Sequence, residues 1–176
     1  MMKVLLILLS ITALSQNAYA TFFPRVATNL ELEEYLGKWY QIASSNPVFQ
    51  QDCYCVTAEY EVNDNGNVDV INSCRKGAVD GELDIAVGEA RKTWNPAKFR
   101  VSFGGFRSPF SNYWVVSLAD DYSYAVVSSP FRNPIWILSR TPEMDEETYE
   151  GIIQNLKSRY FDTSIISKTV QLGCDN

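Results

Sequence analysis

Histidine is absent from this 176-residue sequence. Without an imidazole, the protein has no His-based catalytic triad, no Cys–His pair and no histidine metal ligand. Basic residues are also scarce, since 15 Lys and Arg stand against 21 Asp and Glu, for a net charge of −6. An acidic surface repels phosphate, so we expect no nucleic-acid partner. These absences exclude much of common enzymology before any motif is considered.

Long apolar runs are missing too, except for a short one near the N-terminus. Lys3 precedes an apolar run over Val4–Leu9, and Ala18-Tyr19-Ala20 follows as a small-x-small cleavage pattern. This run is too short to span a bilayer stably, and the whole pattern is typical of a secretory signal peptide. We therefore expect residues 1–20 to be a signal peptide cleaved near Ala20, and residues 21–176 to be a single domain. Loss of Lys3 leaves 14 basic against 21 acidic residues, a net charge of −7.

All four cysteines lie in the expected mature part: Cys53, Cys55, Cys74 and Cys174. An even number in an exported chain indicates two disulfides, with three connectivities to choose from. A four-thiolate zinc site is the alternative, but the spacing contains no C-x-x-C pair, and we expect no metal site. With a hairpin turn near Asn65-Gly66, Cys74 lies opposite residues 55–57, within reach of both Cys53 and Cys55. Spacing alone leaves the pairing open.

Strand patterns dominate the chain. From Val56 to Val62 apolar and polar residues alternate, which predicts a half-buried strand, and Asn65-Gly66 favours a hairpin turn directly after it. On the strand predicted over 83–94, one face carries the small residues Ala86, Gly88 and Ala90. The same reasoning predicts eight strands in all: 38–44, 56–62, 68–73, 83–94, 98–103, 112–119, 123–129 and 134–140.

The pattern changes to helical spacing after the eighth strand. Thr141 is expected to cap a helix in which Tyr149, Ile152, Ile153 and Leu156 repeat at helical spacing. A final strand is expected over 164–170. Consecutive short strands joined by short turns predict an all-β fold, an eight-stranded up-and-down antiparallel barrel with the C-terminal α-helix packed outside. A barrel of eight strands encloses room for one small ligand.

Three ordered motifs resemble those of the lipocalin family. Gly37-Lys38-Trp39 resembles the Gly-x-Trp signature of the first strand, Asp121-Tyr122 resembles the motif between strands six and seven, and Arg140 resembles the third motif. The resemblance covers about residues 29–170, and in its finer detail the sequence resembles apolipoprotein D and the bacterial outer-membrane lipocalins. Asp120 departs from it, because the family often has threonine there. The resemblance implies that Trp39 plugs the closed end of the barrel under the Arg140 guanidinium, as structural residues.

The resemblance also implies a ligand site inside the barrel. Its implied contacts are Tyr60, Asn72, Tyr113 and Trp136, and Phe99 and Phe103 share faces with these strands and are expected to add to the apolar wall. A buried Asn72 amide would need a partner such as a ligand or a trapped water. The expected function is reversible binding and transport of a small hydrophobic ligand: a fatty acid, a lysophospholipid, a sterol-like molecule or a pigment.

Further expectations follow from the same resemblance. It implies the disulfides Cys53–Cys74 and Cys55–Cys174. The protein is expected to be secreted, or periplasmic in a bacterium, to be a monomer or weak dimer, and to need no cofactor.

Two other function classes are the alternatives. A lipocalin-fold enzyme acting on a lipid would need a free thiol or the Asp120-Asp121 pair, and a turn does little to tune carboxylates. We expect no catalytic residue. An interaction module would use the Gly-rich Phe103–Phe110 loop, whose exposed Phe106 and Phe110 could contact a membrane or a receptor transiently.

Overall fold

The computed structural model describes residues 22–105 and 107–174. The expected signal peptide lies outside the described residues. Within these residues the order of elements is a short helix, α1, then eight strands, a second helix and a short ninth strand. The elements are α1 Leu32–Tyr35, β1 Gly37–Ser44, β2 Cys53–Val62, β3 Val68–Lys76, β4 Leu83–Lys92, β5 Lys98–Phe103, β6 Tyr113–Leu118, β7 Tyr124–Ser128, β8 Ile135–Ser139, α2 Glu146–Ser158 and β9 Ser167–Lys168, with 3-10 turns at Val48–Gln50 and Thr163–Ile165.

Strands β1 to β8 form a closed antiparallel barrel. Each strand pairs with its neighbour in the chain, and β1 pairs with both β2 and β8, which closes the sheet. The first half of β1 pairs with β2, from Gly37 to Tyr40, and the second half pairs with β8, from Tyr40 to Ser44. This confirms the eight-stranded up-and-down barrel. In the part of the chain that the structure describes, no helix is both long and apolar enough to cross a bilayer.

Two separate apolar cores follow from the alternation of side chains along the strands. One core fills the lower interior of the barrel around Trp39, Val115 and Val127. The other lies between the outer wall and α2, where Tyr149, Ile152 and Leu156 of the helix are buried. The helix packed outside the barrel is therefore confirmed.

Two local expectations were wrong. Thr141 does not cap the helix, because its hydroxyl donates to the Glu143 carbonyl oxygen at 2.7 Å inside a turn. The helix begins at Glu146, and the Asp145 carboxylate accepts from the Thr148 N–H at 2.8 Å. The last strand was predicted over 164–170 and is much shorter. Its two residues, Ser167 and Lys168, pair with Ser44 and Ala43 of β1.

The closed end of the barrel is sealed by Trp39, which is completely buried. Its indole N–H donates to the Tyr35 carbonyl oxygen at 2.9 Å. The Arg140 guanidinium lies 3.7 Å from the ring centroid and donates to the carbonyl oxygens of Lys38 and Glu34, at 3.0 and 2.6 Å. Gly37 starts β1 at a φ of +85°, a backbone conformation that other residues rarely adopt.

The second motif ties the N-terminal segment to the turn between β6 and β7. The Tyr122 hydroxyl donates to the Asn29 carbonyl oxygen at 2.6 Å and accepts from the Glu31 N–H at 2.7 Å. In the same turn the Asp121 carboxylate accepts from the side chain and backbone of Ser123, and these hydrogen bonds hold its pKa below the usual value. Asp120 accepts from the Asn29 amide at 3.1 Å.

The C-terminal tail fills the gap that opens where β2 leaves β1. The buried Gln171 amide donates to the Gln41 and Val56 carbonyl oxygens, one on each strand, at 2.9 and 2.8 Å. The Cys55 N–H donates to the Val170 carbonyl oxygen at 2.9 Å. A disulfide joins Cys55 to Cys174 next to this contact, and a second joins Cys53 to Cys74 across the β2–β3 hairpin. These are the pairs that the resemblance implied.

Replacing Arg140 with alanine removes the cation–π contact and two hydrogen bonds at the closed end. We expect Arg140→Ala to lower the free energy of unfolding by about 1–2 kcal/mol and to leave ligand affinity nearly unchanged. Urea unfolding measures the first quantity. Arg107→Ala is the matched control, because Arg107 is exposed and makes no hydrogen bond or ion pair with the described residues. Lost binding with unchanged stability would contradict the structural role.

The two disulfides should differ in their effect on stability. The Cys55–Cys174 bond spans 119 residues and the Cys53–Cys74 bond spans 21. Chain entropy gives the expected effect on the free energy of unfolding. We expect it to fall by about 5 kcal/mol when Cys55 and Cys174 are both replaced by serine, and by about 3 kcal/mol when Cys53 and Cys74 are. The two double variants serve as controls for each other in chemical unfolding. Peptide mapping that joined Cys74 to Cys174 would contradict the pairing itself.

Candidate ligand-binding cavity

A cavity of about 390 Å³ lies inside the barrel above the closed end. Its lining is mostly apolar and aromatic with a few neutral polar side chains, and none of its described lining residues is charged. A second lobe of about 340 Å³ adjoins it and shares Val56, Asn72 and Phe103 among its lining residues. Cavities of this size and composition are typical of sites for small hydrophobic ligands.

Five of the six sequence-predicted contact residues line the large cavity: Tyr60, Asn72, Phe103, Tyr113 and Trp136. They come from β2, β3, β5, β6 and β8, so the barrel brings together side chains far apart in sequence. Phe103 fits against β4 because Gly88 has no side chain. A Cβ at Gly88 would lie 2.7 Å from the Phe103 ring and 2.5 Å from the Ser102 carbonyl oxygen.

Phe99 is the exception among the predicted contacts. It pairs with Tyr113 in the β5–β6 ladder, and the two rings meet edge to face at 6.1 Å. Phe99 is buried and lines only a separate void of about 20 Å³ below the large cavity. The reason is its height in the barrel, since Phe99 stands at the closed-end side of β5 and Phe103 at the open-end side. Phe99 supports the floor of the cavity.

The mouth of the cavity contains residues that the sequence analysis missed. Phe49 lies in the turn after β1, with its ring 6.5 Å from that of Trp136. The Trp136 indole N–H donates to Gln50 Oε1 at 3.0 Å, and Gln50 Nε2–H donates to Gln41 Oε1 at 2.8 Å. The Gln41 amide donates in turn to the Thr169 hydroxyl at 2.7 Å. This chain of hydrogen bonds connects the mouth to the C-terminal tail.

Gln41 was within reach of sequence reasoning, because it stands two residues after the inward-facing Trp39 and period two places it inside as well. Phe49 and Gln50 had no such signal. They lie in a connection between strands, where no periodicity shows which side chains turn toward the barrel.

Asn72 lies half-buried on β3 and lines both lobes of the cavity. The side-chain amide of Asn72 makes no hydrogen bond with any described residue of the chain. A polar side chain in this position can hold a ligand or a water molecule. Asn72 is therefore a candidate polar contact in a mostly apolar wall.

Three tyrosine hydroxyls form the floor of the cavity. The Tyr113 hydroxyl lies 2.7 Å from that of Tyr35 on α1 and 2.9 Å from that of Tyr60. Burial raises the pKa of Tyr60 to about 12 and those of Tyr35 and Tyr113 well above the usual value. All three phenols therefore stay protonated and neutral at physiological pH.

The side chains that could act in catalysis lie outside the cavity or are joined in disulfides. Asp120 and Asp121 are exposed in the β6–β7 turn, at the end of the barrel opposite the mouth. All four cysteines fall within the described residues, and none of them has a free thiol. In the Phe103–Phe110 loop, Phe110 is exposed, Phe103 lines the cavity, and Phe106 lies outside the described residues. The use of this loop as a membrane or receptor contact stays a prediction.

Comparisons with known proteins give one consistent result. A family model described as a lipocalin-like domain matches residues 30–171. The outer membrane lipoprotein Blc of Vibrio cholerae is 37% identical over 143 residues, which cover 78% of this chain and 80% of that protein. Apolipoprotein D of Bos taurus is 35% identical over 161 residues, which cover 86% of this chain and 82% of that protein. Among solved structures, insecticyanin from the tobacco hornworm Manduca sexta has a similar fold, with a TM-score of 0.63 at 22% identity over 84% of this chain and 82% of that one.

The buried phenols should be visible in an alkaline titration. We expect Tyr60 to ionise near pH 12. Burial raises the pKa values of Tyr35 and Tyr113 too, so we expect both to ionise well above the pH of about 10 at which an unperturbed phenol ionises. Because their folded pKa values are raised, these groups contribute stability that is complete below about pH 10 and is lost as the pH rises through the folded values. Phenolate absorbance follows the ionisation.

Two phenylalanine variants make this test specific. Tyr160 is exposed, so Tyr160→Phe is the control for replacing a tyrosine outside the barrel. Tyr60→Phe should leave the titration below about pH 11 unchanged. A loss of absorbance in that range for Tyr60→Phe would contradict its burial.

Proposed function

The chain belongs to the lipocalin family, which binds small hydrophobic ligands, and we propose that this protein carries one such ligand in the barrel cavity. The observation that carries the proposal is the cavity itself, about 390 Å³ of uncharged and mostly apolar space. Asn72 and the tyrosine floor add a few polar contacts within it. The candidate ligands are fatty acids, lysophospholipids, sterol-like molecules and pigments, because all of them have a large apolar surface to bury.

Burial of apolar surface supplies the binding energy. Removing about 300 Å² of ligand surface from water contributes roughly 7–8 kcal/mol before the entropic costs of binding are subtracted. The aromatic rings of Trp136 and Phe49 at the mouth provide flat apolar contact area for a ligand. Binding by this mechanism is reversible and needs no chemical step, so we propose a carrier and not an enzyme.

We infer that the protein acts outside the cytoplasm. Two disulfides use all four cysteines, and disulfides persist in oxidising compartments. The signal-peptide pattern over residues 1–20 supports the same conclusion. Together they support a secreted protein, or a periplasmic one in a bacterium.

Trp136 tests where the ligand binds. We expect Trp136→Ala to weaken binding of Nile red, a neutral hydrophobic dye, about tenfold, because the variant removes a large flat contact from the cavity wall. Fluorescence titration measures the affinity. The matched control is Trp94→Ala, since Trp94 is 91% exposed in the turn between β4 and β5 at the closed end.

Unchanged affinity in Trp136→Ala would remove this residue from the site. Native mass spectrometry of protein purified from its own source complements the titration, since a co-purified small molecule would reveal its mass. Absence of Nile red binding to the wild-type protein would contradict the cavity as a ligand site.

A further inference from the structure

The tyrosine floor, made of Tyr35, Tyr60 and Tyr113, has more O–H donors than the hydrogen bonds among its own hydroxyls require. Three phenols carry three O–H protons, and only two contacts join their oxygens, Tyr35 to Tyr113 and Tyr60 to Tyr113. Each contact uses one proton. Among the described residues, no other side chain or carbonyl oxygen accepts from these hydroxyls. One O–H donor is therefore left over, whichever way the protons are arranged.

The unused donor belongs to a residue that lines the large cavity. Tyr35 reaches only the void of about 20 Å³ below the floor, where Leu32, Val68 and Phe99 surround it. An O–H group left without a partner among apolar side chains costs about 1–3 kcal/mol. The favoured arrangement thus has Tyr35 donating to Tyr113, which leaves the spare proton on Tyr113 or Tyr60. Both of these residues line the large cavity.

Charge decides what kind of acceptor fits this donor. The described lining of the large cavity includes no Lys or Arg, so a carboxylate at the floor would lose its hydration without meeting an opposite charge. The Arg140 guanidinium lies under the Trp39 ring and already donates to two carbonyl oxygens. The described lining of the neighbouring lobe adds no Lys or Arg, and its acidic residue, Asp84, lies 3.6 Å from the Lys76 ammonium. An uncharged acceptor needs no opposite charge at the floor.

We propose that the floor of the cavity donates a hydrogen bond from Tyr60 or Tyr113 to an uncharged oxygen of the ligand, such as a ketone or ester carbonyl. The preferred ligands are then neutral oxygenated lipids that enter oxygen end first. Fatty acids bind with the carboxylate at the mouth, in water. This inference rests on the proposed function and specifies its ligand class and orientation.

Three ligands of twelve carbons test the inference by displacement of Nile red: decyl methyl ketone, dodecane and dodecanoate. The main variant is Tyr35→Phe/Tyr60→Phe/Tyr113→Phe, which removes all three hydroxyls at once, keeps the shape of the rings and leaves no hydroxyl without a partner. We expect it to bind the ketone about three- to tenfold more weakly than the wild type does, with little change for dodecane and dodecanoate.

Tyr160→Phe is the matched control. It removes one exposed hydroxyl outside the barrel and leaves all three floor hydroxyls in place, so we expect unchanged affinity for all three ligands. Equal losses for ketone and dodecane in the triple variant would overturn the proposal, as would a ketone affinity that does not change. A loss for dodecanoate as large as that for the ketone would also overturn it, because a carboxylate would then reach the floor.

Infrared spectroscopy on the wild-type complex keeps the test independent of how well the variant folds. We expect the C=O stretching band of the bound ketone to lie at lower wavenumber than in dodecane solution, because a hydrogen bond weakens the carbonyl bond. A band at the dodecane position would overturn the proposal, and would mean that water fills the donor's place. If Nile red binds and the ketone shows no such effects, only this inference fails. If neither Nile red nor any of the three ligands binds, the proposed function fails with it.

Discussion

The barrel depends on β1, because this one strand hydrogen-bonds to three others. A strand has only two hydrogen-bonding edges, so β2 must leave β1 before the tail can pair there. Gln171 donates to both separated strands, and the Cys55–Cys174 disulfide holds the tail beside them. An unpaired strand edge at this place would expose backbone groups and open the side of the cavity to water.

The two ends of the barrel have different structures. At the closed end, the Arg140 guanidinium covers Trp39 and donates to backbone carbonyl oxygens outside the barrel. The interior therefore stays uncharged down to its tyrosine floor. At the open end, the Gln41, Gln50 and Trp136 side chains form a hydrogen-bonded chain that reaches the tail. The same tail that closes the barrel wall thus also orders part of the mouth.

Single side chains of the cavity were predicted from the sequence in two ways. Alternation along β2 indicated that Tyr60 faces inward, and the family resemblance implied Asn72 and Trp136; all three line the cavity. Phe99 satisfied the same alternation but lies too near the closed end to reach the cavity, because period two gives the face of a strand and not the height along the barrel. Phe49 and Gln50 reach the cavity from a connection that has no period at all.

The amino-acid sequence by itself determined the fold class, the order of the strands and the family, because alternation and the three ordered motifs are local properties of the chain. Only the tertiary structure decided how β1 shares its edges, which residues close the mouth, and that Tyr35, Tyr60 and Tyr113 meet at one point. These features join residues from α1, β2 and β6, and the strand register and tilt that set their distances come from closing the whole sheet. A one-dimensional pattern holds no record of those distances, so the uncharged floor and its spare donor appear only when the barrel is closed.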